Sequence, residues 1–130
     1  MSTLAVGTIK SVSSAAPVFQ NTSGTEKGQL AKAWVNFNGT GTVAIRDSFN
    51  VSTITDNGTG DYTINFTNAF ANANYAMTGS SGGQNSTSNG AVYQYEQASA
   101  KTTSAARVLL ITTSGGITNT PHIAVAFFGD

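Results

Sequence analysis

The chain has little charge. Of its 130 residues, 6 are Lys or Arg and 6 are Asp or Glu, so 9% are charged and the net charge is zero. About a quarter is usual for a globular domain. No basic field exists to hold nucleic acid, and no acidic run forms a solvating tail. Cysteine is absent, which excludes disulfides and thiolate metal sites and is compatible with assembly in a bacterial cytoplasm. No apolar run approaches the ~18 residues of a membrane helix, so no membrane insertion is expected. Residues 1–10 lack the charged start and apolar centre of a signal peptide; a secreted role would need another export route or cell lysis. No ten-residue segment shows helical periodicity.

What is there is period two. Thr, Ser, Asn and Gly are abundant, and with so little charge they suggest disorder. Seven Phe residues and a sharp alternation argue for a folded β protein instead. The alternation is clearest from Lys32 to Phe66. Ala33, Val35 and Phe37 fall on one side of an extended chain, with Trp34, Asn36 and Asn38 on the other. After Gly39-Thr40-Gly41, Val43 and Ile45 resume the pattern, and Phe49, Val51 and Thr53 continue the same parity. Asp56-Asn57-Gly58-Thr59-Gly60-Asp61 is a turn signal closing a hairpin. Tyr62, Ile64 and Phe66 form the next alternating run.

Residues 1–31 read as a Ser/Ala-rich lead-in with scattered apolar anchors, and residues 32–130 as one β domain. Asn68 to Asn74 reads as a loop, and Tyr75, Met77 and Gly79 as a short strand. Gly79 to Gly90 is the lowest-complexity stretch and reads as a long exposed loop. Ala91 to Gln97, Arg107 to Thr113 and His122 to Phe128 are further strands, the last expected inside a sheet. This pattern of short strands and turns predicts an antiparallel β-sandwich, jelly-roll-like, behind a lead-in that composition alone reads as a flexible tail.

The chemical motifs are weak. Gly39-Thr40-Gly41-Thr42-Val43-Ala44 matches a dinucleotide fingerprint as text, but a strand and not a helix follows it. The Asp56–Asp61 turn offers oxygen ligands without the spacing of a calcium loop. His122 is the only histidine, and no acidic residue lies near it in sequence before Asp130. Asp56 and Asp61 flank a turn, and no other carboxylate pair can be argued for glycoside cleavage. No enzyme, metal or cofactor is expected. Six N-x-[ST] sequons occur, at Asn21, Asn38, Asn50, Asn57, Asn65 and Asn85, without a signal peptide to make them relevant.

Phe37, Phe49, Tyr62, Phe66 and Phe127 lie with the apolar set and are expected in the core. Trp34 lies on the opposite face, with Asn36, and is expected either in a subunit interface or as a sugar-stacking platform. Tyr93 and Tyr95 share one face of their strand and are read as ligand-contacting or as core.

The run AWVNFNGTGTVAIR, followed by FNVSTITDNGTGDYTINF, resembles a module in tail-fibre and other virion surface proteins of tailed bacteriophages, cyanophages and other aquatic phages especially. The likeness spans roughly Thr22 to Tyr75 and fades after Gly79, where that family varies most. It implies a virion structural protein made in the host cytoplasm. Homotrimers are implied, with residues 1–31 as an extended N-terminal arm that attaches to a neighbouring subunit or to other virion proteins. A tail fibre or fibre tip that binds a host cell-surface polysaccharide is the leading expectation. A head decoration protein or capsid spike is the alternative, and a polysaccharide-cleaving enzyme a third class. Within this resemblance, Gln84, Asn85, Ser86, Asn89, Tyr93 and Tyr95 are the expected receptor contacts. Trp34 and Asn36, inside the recurring module, are the expected subunit interface.

Overall fold

The computed structural model describes residues 5–10, 18–83, 90–94 and 101–129. Ten strands and no helix occur among them: β1 (Val18–Gln20), β2 (Glu26–Gln29), β3 (Ala33–Asn38), β4 (Ala44–Phe49), β5 (Val51–Gly58), β6 (Asp61–Phe66), β7 (Ala76–Gly82), β8 (Gly90–Gln94), β9 (Ala105–Thr112) and β10 (His122–Phe128). Two four-stranded antiparallel sheets, ordered β4-β3-β10-β7 and β5-β6-β9-β8, pack into a sandwich. β3–β4, β5–β6 and β8–β9 are neighbours within a sheet, while the other connections from β4 onward pass between sheets. This is the antiparallel β-sandwich the turn spacing predicts.

The lead-in is not wholly extended. β1 and β2 pair as an antiparallel hairpin. Its turn is held by Asn21, whose Oδ1 accepts from the Ser23 and Thr25 amides at 3.2 and 2.8 Å. The sandwich takes hold at Lys32, whose amide donates to the Phe127 carbonyl at 2.9 Å.

Between the sheets, Phe37, Tyr62, Ile64, Leu110, Ile123 and Phe127 are wholly buried. β3, β6, β9 and β10 alternate buried and open positions along most of their length, because each is an inner strand with one face on the core. At one end Phe66 meets Phe70, Tyr75 and Phe127 at centroid distances of 4.9–5.7 Å. At the other, Phe37 and Tyr62 meet edge to face at 5.2 Å. Phe70 and Tyr75, placed by the sequence in or beside a loop, are core residues at 3% exposure each.

Two single-residue bulges correct the expected faces. On β4, Phe37 pairs with Ile45 and Asn36 with Asp47, so Arg46 is an extra residue. An extra residue shifts the alternation by one. Phe49 therefore pairs with outward-facing Trp34 and is 55% exposed, not core. On β5, Ser52 is the extra residue, so Thr53 pairs with Asn65 and Ile54, not Thr53, packs on the core opposite Ile64. Between these strands Asn50 adopts φ 55°, a left-handed conformation that Asn tolerates better than most residues. Its Nδ2 donates to the Lys32 and Asn68 carbonyls, and its Oδ1 accepts from the Asn68 amide at 2.7 Å. The corner between the sheets is thus pinned on both sides.

The Gly-Thr-Gly motif is the β3–β4 turn, with Gly41 at φ 63°. The Asp56–Asp61 turn closes the β5–β6 hairpin. Gly60 there has φ 63°, and a Cβ on it would stand 2.6 Å from the Thr118 carbonyl, so only glycine fits. Gly60's amide and the Tyr62 hydroxyl converge on Asn119 Oδ1 at 2.6 and 2.7 Å. The same hydroxyl lies 2.7 Å from the Gly39 carbonyl, and its single proton serves one acceptor at a time. Burial, followed by the nearby Asp56 charge, pushes the Tyr62 phenol up to about 12; burial pushes Tyr75 to about 12 as well.

β7 runs to Gly82, so the stretch read as a loop from Gly79 is strand in its first part. It pairs with β10 without a bulge, from Phe128↔Ala76 to His122↔Gly82. β10 therefore lies inside the first sheet, as its apolar pattern predicts.

Candidate functional site

The outward residues of the first sheet follow from its register. β3 contributes Trp34 and Asn36, β10 contributes His122, Ala124 and Ala126, and β7 contributes Thr78 and Ser80. Side chains on the middle strand, β10, are small between the larger ones of β3 and the hydroxyls of β7. A trench of about 420 Å³ results, with Trp34 and Asn36 on one wall, Thr78 and Ser80 on the other, and Ala124 and Ala126 as floor. A second depression of about 300 Å³ shares Asn36, Ser80 and Ala124 with it and extends to Ser81 and His122. Together they form one track along the strands, aromatic at one end and polar at the other.

Trp34 is 36% exposed. Phe49 lies beside it across the β3–β4 ladder, and Phe128 is exposed farther along β10. No charged side chain lines the track. On neighbouring β4, Asp47 pairs with Asn36, and Arg46 Nη1 donates to Asn36 Oδ1 at 3.4 Å. Thr78, Ser80 and His122 have no side-chain hydrogen bond among the described residues. Ser81, opposite core Ile123, is turned to the inner side of the sheet, where its buried Oγ has no partner among the described residues.

The outward face of the second sheet differs. Asn65 Nδ2 donates to Thr53 Oγ1 and Thr55 Oγ1 at 3.1 and 3.0 Å. Asn57 Nδ2 donates to Thr63 Oγ1 at 2.9 Å. Arg107 grips Asp61 through Nε at 2.8 Å and Nη2 at 2.5 Å. That grip, the Arg107 hydrogen bond above all, holds the Asp61 carboxyl below its usual value against the opposing effect of burial. Asp61 is thereby committed to Arg107, and Asp56 Oδ1 accepts from the Gly58 amide. Among the described residues no group of three or more His, Cys, Asp or Glu is placed to hold a metal ion. No helix there is long and apolar enough to cross a membrane.

Of the expected receptor contacts, Gln84, Asn85, Ser86, Asn89 and Tyr95 lie outside the described residues. Tyr93 stands outward on β8, opposite Leu109, at 50% exposure, so it is not core. Leu109, Ile111 and exposed Ile117 surround it with an aliphatic strip. The expected interface pair, Trp34 and Asn36, is brought together on one trench wall. Ala124, Ala126, Thr78, Ser80 and His122 complete the trench and were not anticipated. Part of their signal was present in β10: between His122 and Phe128 its outward positions hold only the small residues Ala124 and Ala126.

No protein-family model, no curated protein and no solved structure matches the chain.

Proposed function

We propose that this chain is a non-enzymatic structural protein of a tailed-phage virion, sited in the tail fibre or at its tip, that binds a host surface glycan. The observation that carries the binding half is the uncharged trench beside Trp34, with small residues beneath and uncommitted hydroxyl and imidazole groups along it. Concave, largely apolar sites with a few convergent polar groups are where small ligands bind. The resemblance from Thr22 to Tyr75 supplies the virion setting. In this reading Trp34 faces the ligand. Tyr93, among Leu109, Ile111 and Ile117, joins an aliphatic strip suited to subunit contact. The two sites thus exchange the roles that sequence alone suggests. Three copies in a homotrimer multiply a weak single-site affinity through effective concentration.

The test has two arms. Labelled antibody against the chain is expected to mark tails of intact particles, and purified protein is expected to compete with phage for adsorption to host cells. Head labelling without competition points to the decoration or capsid-spike role and overturns the tail-fibre reading.

A further inference from the structure

We infer that the Trp34–His122 track takes a neutral polysaccharide chain laid along the strands, and binds an internal run of sugars and not a chain end. The inference rests on the proposed function only for where such a chain is met; the ligand class is argued from the track itself.

Charge decides the class first. No Asp, Glu, Lys or Arg side chain lines the track. A phosphate, sulfate or uronate ligand would find no Arg or Lys on the lining. On neighbouring β4, Arg46 donates to Asn36 Oδ1, and Asp47, the cross-strand partner of Asn36, adds a negative charge beside it. A neutral ligand therefore fits and an anionic one does not.

Chemistry decides it second. A sugar ring has an apolar face of C–H groups and a rim of hydroxyls that donate and accept. Trp34 offers a broad apolar surface, with Phe49 beside it. Asn36, Thr78, Ser80 and His122 offer groups that both donate and accept. On the second sheet the matching Asn and Thr groups are already bonded to each other. On the first, Thr78, Ser80 and His122 have no side-chain hydrogen bond among the described residues. A purely apolar occupant would strand these groups, and a hydroxyl-rich one would satisfy them.

Shape decides how the ligand lies. The walls stand two inter-strand spacings apart, roughly 10 Å, which admits a single chain. From Ala126 to His122 the floor runs four residues, roughly 13 Å, which exceeds one ring. The two depressions share Asn36, Ser80 and Ala124, so they adjoin along the strands.

The chain has one tryptophan, so its own fluorescence reports occupancy at Trp34. The purified full-length protein is titrated with neutral hexasaccharides of glucose, mannose and galactose, with the matching monosaccharides, and with an oligouronate of the same length. At least one neutral hexasaccharide is expected to shift Trp34 emission to the blue, and the monosaccharides and oligouronate are expected to bind at least tenfold more weakly. Calorimetry with Trp34→Ala is expected to show about tenfold weaker binding. Ala124→Leu, which fills the floor and removes no contact, is expected to abolish binding while the melting temperature holds; it stands in if Trp34→Ala fails to fold. Asn36→Ala and His122→Ala are expected to weaken binding about threefold to tenfold each.

Preference for the oligouronate, binding of monosaccharide as tight as hexasaccharide, no response to any neutral hexasaccharide, or binding unchanged in Ala124→Leu would each overturn the inference. Failure here is separable from failure of the proposed function. If the protein still competes for adsorption while no neutral hexasaccharide binds, the tail-fibre reading stands and the ligand class falls.

Discussion

The two sheets are alike inside and unlike outside. Both inner faces are apolar and close on one core. The second sheet's outer face, over β5 and β6, joins Asn to Thr and Asp to Arg, so its polar groups serve each other. The first sheet's outer face carries an aromatic residue, two alanines and hydroxyls that bond to no described side chain. Both sets of outward residues are neutral or nearly so, and composition does not distinguish them. Pairing does. A polar group already bonded within its own sheet contributes to stability; one left open is available to a ligand.

The sharpest way to break this comparison is to show that inner and outer have been confused. Phe127 and Phe128 are neighbours in sequence, one wholly buried and the other 38% exposed. Phe127→Ala is expected to cost about 3–5 kcal/mol in denaturant unfolding, and Phe128→Ala less than about 1 kcal/mol. Equal costs would mean that the β10 register is wrong. Phe49→Ala, at a position whose alternation alone suggests core, belongs with Phe128 in this test.

Next in size is Tyr62→Phe, expected to cost about 1–3 kcal/mol because it removes the hydroxyl that Gly39 and Asn119 share. It also carries a pH signature. The phenol is neutral when folded and its value is raised to about 12, above the ordinary value of about 10. The unfolded chain therefore loses its proton first, and the stability held below about pH 10 is lost as pH rises towards 12. Tyr62→Phe is expected to flatten part of that alkaline decline, leaving the share due to Tyr75.

The second sheet's polar pairing is then tested directly. Asp61→Asn is expected to cost about 1 kcal/mol at neutral pH, since the pair is only partly buried. Because the folded carboxyl is held low, its contribution is present above the unfolded value near 3.8 and fades as pH falls through the lower folded value. The variant should differ least from the parent at the acid end of a pH series. Asn65→Ala, which frees Thr53 and Thr55, is expected to cost about 0.5–1.5 kcal/mol. Smallest of all is the effect of Ser80→Ala or Thr78→Ala, within about 0.5 kcal/mol of the parent. If these hydroxyl deletions destabilise as much as Asn65→Ala, the two faces are not different in kind.

Much of this was legible in the residues. Ala33-Val35-Phe37, Tyr62-Ile64-Phe66 and Ile123-Val125-Phe127 alternate without interruption, and all three lie on inner strands. The misread faces, Phe49 and Thr53, are on the edge strands β4 and β5. An edge strand has one neighbour, so it can absorb an extra residue at Arg46 or Ser52 without disrupting a second ladder. Nothing in the local composition marks that extra residue. The trench escaped for another reason. It is made where β3, β10 and β7 lie side by side, and these are separated in sequence by long intervals. Trp34 was visible as an outward aromatic residue; the low floor that makes it a wall depends on which strand becomes its neighbour. Phe70 and Tyr75 show the same limit, since a loop residue joins the core only when the strands around it supply the cavity.

The position of β10 has a consequence for how the molecule is made. It separates β3 from β7 in the first sheet, yet it follows both in the chain. The interval from Gly82 to His122 takes a ribosome roughly 2–8 s to cross. During that time β3 with β4 on one side, and β7 on the other, have no strand to join them. The first sheet, and the trench across it, therefore close in a single late step when β10 enters between halves already synthesised. Contacts so distant in sequence form slowly, and a nascent chain stalled before His122 would present two apolar half-sheets to its surroundings.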